Sequence, residues 1–160
     1  VPKSAIALNL LESWHPSVSE ILTTLVTEKK ITTPKLQASL IIGDARKTIQ
    51  QIYRDQVQAD AIFLDPFSPT KCPQLWTVEF LDLVSKYLNP TGYLVTYSCA
   101  ASVRTALQMT GLLIGATESV GRRSPGTIAS WLNNSLPFLS QPEIEHLQTK
   151  AAIPYRDPLL

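Results

Sequence analysis

The sequence predicts an open, doubly wound α/β sheet, and three observations carry that expectation. Apolar runs of strand length occur at residues 36–42, 61–64 and 93–98. Each is followed by a stretch with apolar residues three and four apart, long enough to cross over and deliver the next strand in parallel. The runs stop at Gly43-Asp44, Asp65-Pro66 and Ser98-Cys99, so polar groups collect at the carboxyl ends of the strands, where sheets of this class hold their ligands.

In chain order, Ala5, Leu8, Leu11 and Trp14 share one face of a short helix that stops near His15-Pro16. Ser17 and Glu20 have capping-box spacing. Val18, Ile21, Leu22 and Leu25 then form the buried stripe of a second helix, ending at Lys29-Lys30 where positive charge meets its negative pole. Residues 36–42 turn almost wholly apolar, as in a strand covered on both faces. Residues 47–53 predict a short helix with Ile49, Ile52 and Tyr53 on one side. A second covered strand, Ala-Ile-Phe-Leu at 61–64, stops because Pro66 cannot continue a central ladder.

The strongest helical pattern is Trp76, Phe80, Leu83, Val84, Tyr87 and Leu88, and Asn89-Pro90-Thr91-Gly92 reads as the turn that ends it. A third strand at 93–98 precedes a helix with the face Val103, Ala106, Leu107 and Thr110, closed by Gly111. Residues 112–120 and 127–131 predict an antiparallel pair around Gly121-Arg122-Arg123-Ser124-Pro125-Gly126, in a register that remains open. From Asn133 onward Pro137, Pro142, Pro154 and Pro158 interrupt the chain, and only 143–150 has room for a helical turn or two. The expected organisation is one domain over 1–132 and an irregular tail over 133–160.

The 160 residues are 44% hydrophobic and 17% charged, which supports one sizeable core and excludes a compositionally disordered chain. Fourteen Lys and Arg against thirteen Asp and Glu leave a formal charge of +1, so a polyanionic partner needs a local patch. Cys72 and Cys99 have no CxxC or histidine companions. They argue against a zinc site or a disulfide scaffold and fit reduced thiols in a cytoplasmic protein. The apolar runs stop short of the roughly 20 residues of a membrane span. The start, Val1-Pro2-Lys3-Ser4, leads into no secretory signal core.

Asp65 is the foremost candidate. Its carboxylate projects from a strand tip while Pro66 bends the backbone away, so it can accept hydrogen bonds from an amine nucleophile and orient it. The competing reading is a carboxylate that caps nearby amides. Phe67 either stacks on a planar base or cofactor or packs in the core. Pro66, Pro69 and Pro73 stiffen this wall. Lys71 either meets a phosphate or is solvated, and Cys72 has nothing beside it to activate a thiolate. Asp44 either accepts from an adenine amino group or caps the helix that begins near Arg46. Ser98 and Cys99 leave room for a ligand or serve the core and turn. Arg122 and Arg123 reach a phosphate or a carboxylate, or lie solvated in a turn. Tyr53 and Trp76 belong to helix packing, His15 and His146 have no telling partners, and neither GxGxxG nor GxxxxGK(S/T) occurs.

Gly43-Asp44-Ala45-Arg46 and the block Asp60-Ala61-Ile62-Phe63-Leu64-Asp65-Pro66-Phe67-Ser68-Pro69-Thr70-Lys71-Cys72-Pro73-Gln74-Leu75-Trp76-Thr77 carry a family likeness, supported by Asn89-Pro90-Thr91-Gly92 and Gly121-Arg122-Arg123. Through them residues 40–130 resemble the MnmC-like S-adenosylmethionine-dependent methyltransferases, which finish the 5-methylaminomethyl-2-thiouridine modification of the tRNA wobble base. The resemblance implies a Rossmann-like methyltransferase sheet, S-adenosyl-L-methionine as cofactor, and tRNA as partner of the complete protein. It places Asp65 and Phe67 in the active cleft. Asp44, Ala45, Asp65 and Pro66 fall against the cofactor, with Asp44 near its adenine. Lys71, Arg122 and Arg123 fall where they contact tRNA. Pro66 stands where some relatives have glycine, and Cys72 where some have asparagine.

The same resemblance implies a first strand with a Gly-rich turn and a second strand ending in an acid, both ahead of Val1. The chain is therefore expected to be N-terminally truncated and its sheet incomplete, with upstream sequence or a partner chain covering it. The implied reaction is attack of a neutral aminomethyl nitrogen of the wobble uridine on a sulfonium methyl, by more than this chain alone. The alternatives are a non-catalytic interaction module and a methyltransferase for another amine.

Overall fold

The computed structural model describes residues 14–53, 57–121, 123–132 and 135–160. The first expected helix, apart from Trp14, lies outside them, as do Arg122 and the start of the tail at Asn133. The chain forms two compact units, Val1–Asp44 and Ala45–Leu160.

In the first unit, α1 (Pro16–Glu28) is followed by β1 (Lys30–Thr32) and β2 (Gln37–Ser39). The helix does not start at a Ser17–Glu20 box. Pro16 occupies its first turn, where a missing N–H costs nothing, and the ring nitrogen Nδ1 of His15 accepts from the Ser17 amide at 3.3 Å. At the other end the Lys29 ammonium donates to the Val26 carbonyl at 2.6 Å, placing charge at the negative pole as expected.

The covered strand expected at 36–42 is not formed. Only Gln37–Ser39 is extended, and it pairs antiparallel with β1 in the register Lys30↔Ser39, Ile31↔Ala38, Thr32↔Gln37. The cause is local. Thr33 Oγ1 accepts from the amides of Lys35 and Leu36 and folds the chain back on itself at a short loop's cost. Ile42 is left 70% exposed.

The second unit runs α2 (Ala45–Tyr53), β3 (Ala59–Leu64), a 3-10 turn (Pro73–Leu75), α3 (Val78–Ser85), β4 (Leu88–Thr96), α4 (Ala101–Met109), β5 (Leu113–Ala116), β6 (Thr127–Ser130), α5 (Gln141–His146) and a 3-10 turn (Lys150–Ala152). Its sheet has the order β3-β4-β6-β5. β3 and β4 are parallel, joined through α3, while β6 is antiparallel to both neighbours. The expected antiparallel pair is thus present, with β6 inserted between β4 and β5. The register left open is Leu113↔Ser130 through Ala116↔Thr127.

One face of this sheet makes the core. Ile62 and Leu64 of β3, Leu94 of β4 and Ala129 of β6 meet Phe80, Leu81 and Val84 of α3 and Val103, Ala106 and Leu107 of α4. The opposite face of β3 corrects the expectation of a strand covered on both sides, because Phe63 is 82% exposed and Ala61 is exposed beside it. A four-residue apolar run reports hydrophobicity without reporting which faces are covered.

Two boundaries also move. The helix expected from Trp76 to Leu88 is divided at Thr77, whose Oγ1 caps α3 by accepting from the Phe80 amide, and Leu88 already belongs to β4. Asn89-Pro90-Thr91-Gly92 is not a turn between elements but an irregularity inside β4, where the ladder to β3 shifts between Ala59 and Ala61. Gly92 is needed there because a Cβ would lie 2.9 Å from the carbonyl oxygens of Ala59 and Asp60.

The proline-interrupted C-terminal segment is tied to the unit by polar contacts. Val78 donates its amide to the Tyr155 carbonyl at 3.1 Å, Glu79 pairs with Arg156 at 2.7 Å, and Arg46 pairs with Asp157 at 3.1 Å. α5 carries a capping box of its own, with the Glu143 carboxylate accepting from the Ser140 amide and hydroxyl at 2.8 and 2.7 Å. Among the described residues no helix is long and apolar enough to cross a membrane.

Candidate functional site

The strand directions bring four chain segments to one edge of the sheet in the second unit. β3 and β4 both end there, at Leu64 and Thr96, and the antiparallel register puts the end of β5 and the start of β6 beside them. Asp65, Tyr97, Thr117 and Gly126 are therefore neighbours in topology, although they are scattered in sequence.

Asp65 leaves β3 exposed, and its carboxylate makes no hydrogen bond or ion pair among the described residues. The capping alternative thus has no amide to support it. Phe67 is 76% exposed, so the core-packing alternative fails for its ring as well. Exposure on a flexible loop would mean little, but this turn is held.

The Tyr97 hydroxyl donates to the Pro66 carbonyl at 3.0 Å, and the Trp76 indole N–H donates to the Phe67 carbonyl at 2.8 Å. The next carbonyl, of Ser68, accepts from the amides of Lys71 and Cys72 at 2.8 and 2.9 Å. Trp76 itself is fully buried and meets Tyr97 edge to face, with ring centroids 6.1 Å apart. Sequence reasoning assigns Trp76 to packing and misses both tethers. Its indole N–H is the available signal, since a buried Trp needs an acceptor.

A groove of about 330 Å³ opens at the same edge, lined by Val95, Thr96, Tyr97, Thr117, Glu118, Val120 and Gly126. Gly126 lines it without a side chain, and a Cβ there would lie 2.5 Å from the Thr96 carbonyl oxygen. Behind the groove Arg104 is buried, with Nε donating to Thr127 Oγ1 at 3.0 Å, while that hydroxyl donates to the Ser98 carbonyl at 2.6 Å. Arg104 also pairs with Glu143 at 2.8 Å. Burial raises the pKa of Glu143, but hydrogen bonds from Ser140 and Arg104 outweigh it and leave the carboxyl below its ordinary value.

The other sequence candidates divide. Lys71 and Arg123 are exposed, the latter in the connection between β5 and β6 that borders the groove, and Arg122 lies outside the described residues. Ser98 is buried, and its hydroxyl accepts from the Ala100 amide, so it serves the turn rather than a ligand. Cys72 is buried and Cys99 half-buried, both as free thiols. Ala45 opens α2 and packs against the core of the second unit. Asp44 is the exposed last residue of the first unit. An exposed carboxylate and an exposed ring on a tethered turn suit a ligand with a cationic centre and a planar group.

Residues 9–131 match the family model described as S-adenosyl-L-methionine-dependent methyltransferase. The chain is 36% identical over 124 residues to an uncharacterized protein of Methanocaldococcus jannaschii, a match spanning 76% of this chain and 34% of that protein. It is 30% identical over 97 residues to the tRNA 5-methylaminomethyl-2-thiouridine biosynthesis bifunctional protein MnmC of Ralstonia nicotianae, covering 61% of this chain and 14% of that protein. The crystal structure of MnmC2 from Aquifex aeolicus superposes with a TM-score of 0.81 at 34% identity, over 91% of this chain and 47% of that one. The second unit's mixed sheet and flanking helices are thus of the Rossmann-like methyltransferase type. The chain spans half or less of the length of each of these proteins.

Proposed function

The chain belongs to the S-adenosyl-L-methionine-dependent methyltransferase family, and from that membership we propose that it carries the amine-orienting edge of an enzyme that N-methylates the aminomethyl group of a tRNA wobble uridine. The observation that carries the reading is the turn at Asp65–Phe67, where a carboxylate with no partner among the described residues and an exposed ring stand on a backbone tethered at successive carbonyls.

When bound, S-adenosyl-L-methionine supplies a methyl group made electrophilic by a positively charged sulfur. In this reading Asp65 and Pro66 border that group, with Ala45 toward its adenosine. Asp65 accepts a hydrogen bond from the substrate amine and so aims the nitrogen lone pair; it does this while ionised and need not hold a proton. Phe67 stacks on the planar uracil and excludes water beside it. Lys71, Arg122 and Arg123 meet the phosphates of the tRNA, which fixes position rather than base identity.

In the same reading the tail over 133–160 follows the methyltransferase residues and is held to the second unit by the pairs Glu143–Arg104 and Asp157–Arg46. The net charge of +1 gives no broad basic field, so the tRNA contacts rest on these few cations. A cytoplasmic enzyme is the corresponding setting.

Substrate identity is tested by offering the native gene product tRNA bearing the aminomethyl group and, separately, the free modified nucleoside. Transfer to tRNA at a KM at least about tenfold lower is expected, because phosphate contacts supply sequence-independent affinity. The rate should rise with pH toward the amine's pKa, since only the neutral amine attacks. Equal use of the nucleoside and unrelated small amines would favour an enzyme for another amine.

A further inference from the structure

The tethered turn deepens this reading, and the following rests on it. We propose that the hydroxyl of Tyr97, backed by the buried indole of Trp76, is a positioning device for methyl transfer: it fixes the peptide planes on either side of Phe67 and thereby sets where the Asp65 carboxylate and the Phe67 ring point.

Asp65 and Phe67 are attached to a backbone whose freedom is removed from both sides. Pro66 restricts its own φ and limits the conformations of Asp65 before it. The remaining freedom lies in the orientation of the peptide groups after Pro66 and after Phe67. Those are the groups whose carbonyls are held, at 3.0 Å by Tyr97 and at 2.8 Å by Trp76. The Ser68 carbonyl, next in line, accepts from two amides of its own loop.

The two rings that do the holding are not independent. They meet edge to face at an interplanar angle of 85°, and Trp76 is enclosed in the core between the 3-10 turn and α3. Tyr97 follows the last residue of β4 and lines the groove of about 330 Å³. A rigid core element therefore reaches a surface turn through two hydrogen bonds, and one of its members also forms a wall of the adjoining groove. Catalysis by alignment needs such support, because a carboxylate that wanders by about 1 Å loses on the order of a hundredfold in rate.

Tyr97→Phe removes the hydroxyl and keeps the ring against Trp76. In the native gene product kcat should fall about tenfold, the scale of one hydrogen bond, with KM for both substrates within about twofold and an unchanged melting transition. In the same protein without substrates, amide exchange at Lys71 and Cys72 should speed up about tenfold, while exchange in β4 and β6 stays as it was. Unchanged kcat and unchanged exchange in Tyr97→Phe would overturn the proposal. So would a kcat loss accompanied by an equal rise in exchange throughout the sheet, which marks a general loss of stability. Asp65→Ala assayed in parallel separates the two ideas. If it transfers methyl normally, the methyl-transfer role of this turn fails. If it is inactive and Tyr97→Phe is normal in both readouts, the tether alone fails.

Discussion

Arg104 illustrates how much of the second unit depends on single polar groups. Its guanidinium is enclosed beneath the strand ends and is balanced by Glu143, which arrives from the C-terminal helix. Removing one member of such a pair leaves the other buried and uncompensated. Glu143→Gln should therefore lower stability by about 2–3 kcal/mol at neutral pH, read from denaturant unfolding. The pH dependence follows from the carboxyl's lowered pKa. The stabilisation is fully present above the unfolded value of about 4.3 and is lost as pH falls through the lower folded value. Wild type and Glu143→Gln should accordingly converge on acidification; a difference that stays constant down to pH 3 would contradict the role. Nothing in the local sequence announces this pair. Arg104 sits among Val103, Ala106 and Leu107 on α4, where a charge reads as solvated, and its partner is remote in the chain. The exposed position of Asp65 after β3 is the opposite case, legible because an apolar strand and a proline bracket it.

At the level of elements, the sequence pattern locates α2, α4 and the β5–β6 pair within a few residues, because each has its own periodicity and punctuation. It fails where a turn signal is reused. Asn89-Pro90-Thr91-Gly92 has the composition of a loop, yet a ladder can absorb it as an irregularity, and only the approach of the β3 carbonyls shows why glycine stands there. Strand insertion is equally hidden: no local property of 127–130 says that β6 lies between β4 and β5. Gly115 supplies the element-scale prediction. A Cβ at this position of β5 would collide with the Pro137 carbonyl oxygen, a backbone atom that cannot swing away. Gly115→Ala should cost about 1–3 kcal/mol and open the segment around Pro137 to proteolysis. A melting point and cleavage pattern like those of wild type would show that the Pro137 segment moves aside without cost.

For the whole molecule, the family and the Rossmann-like sheet are established by agreement among the matched residues, the strand order and the superposition on MnmC2. The first unit departs most from the sequence expectation, because the run at 36–42 meets a hairpin partner made by its own neighbouring turn. In the second unit Asp65 follows the end of β3, and the proposed function rests on its exposed carboxylate there. The most direct measurement is transfer of a labelled methyl group from S-adenosyl-L-methionine to aminomethylated tRNA by the native gene product, wild type against Asp65→Ala. Label should appear in the wobble nucleoside with the wild type. It should fall about a hundredfold or more with Asp65→Ala, with both proteins melting alike. Equal labelling by the two, or no labelling by a folded wild-type protein that binds both substrates, would contradict the account.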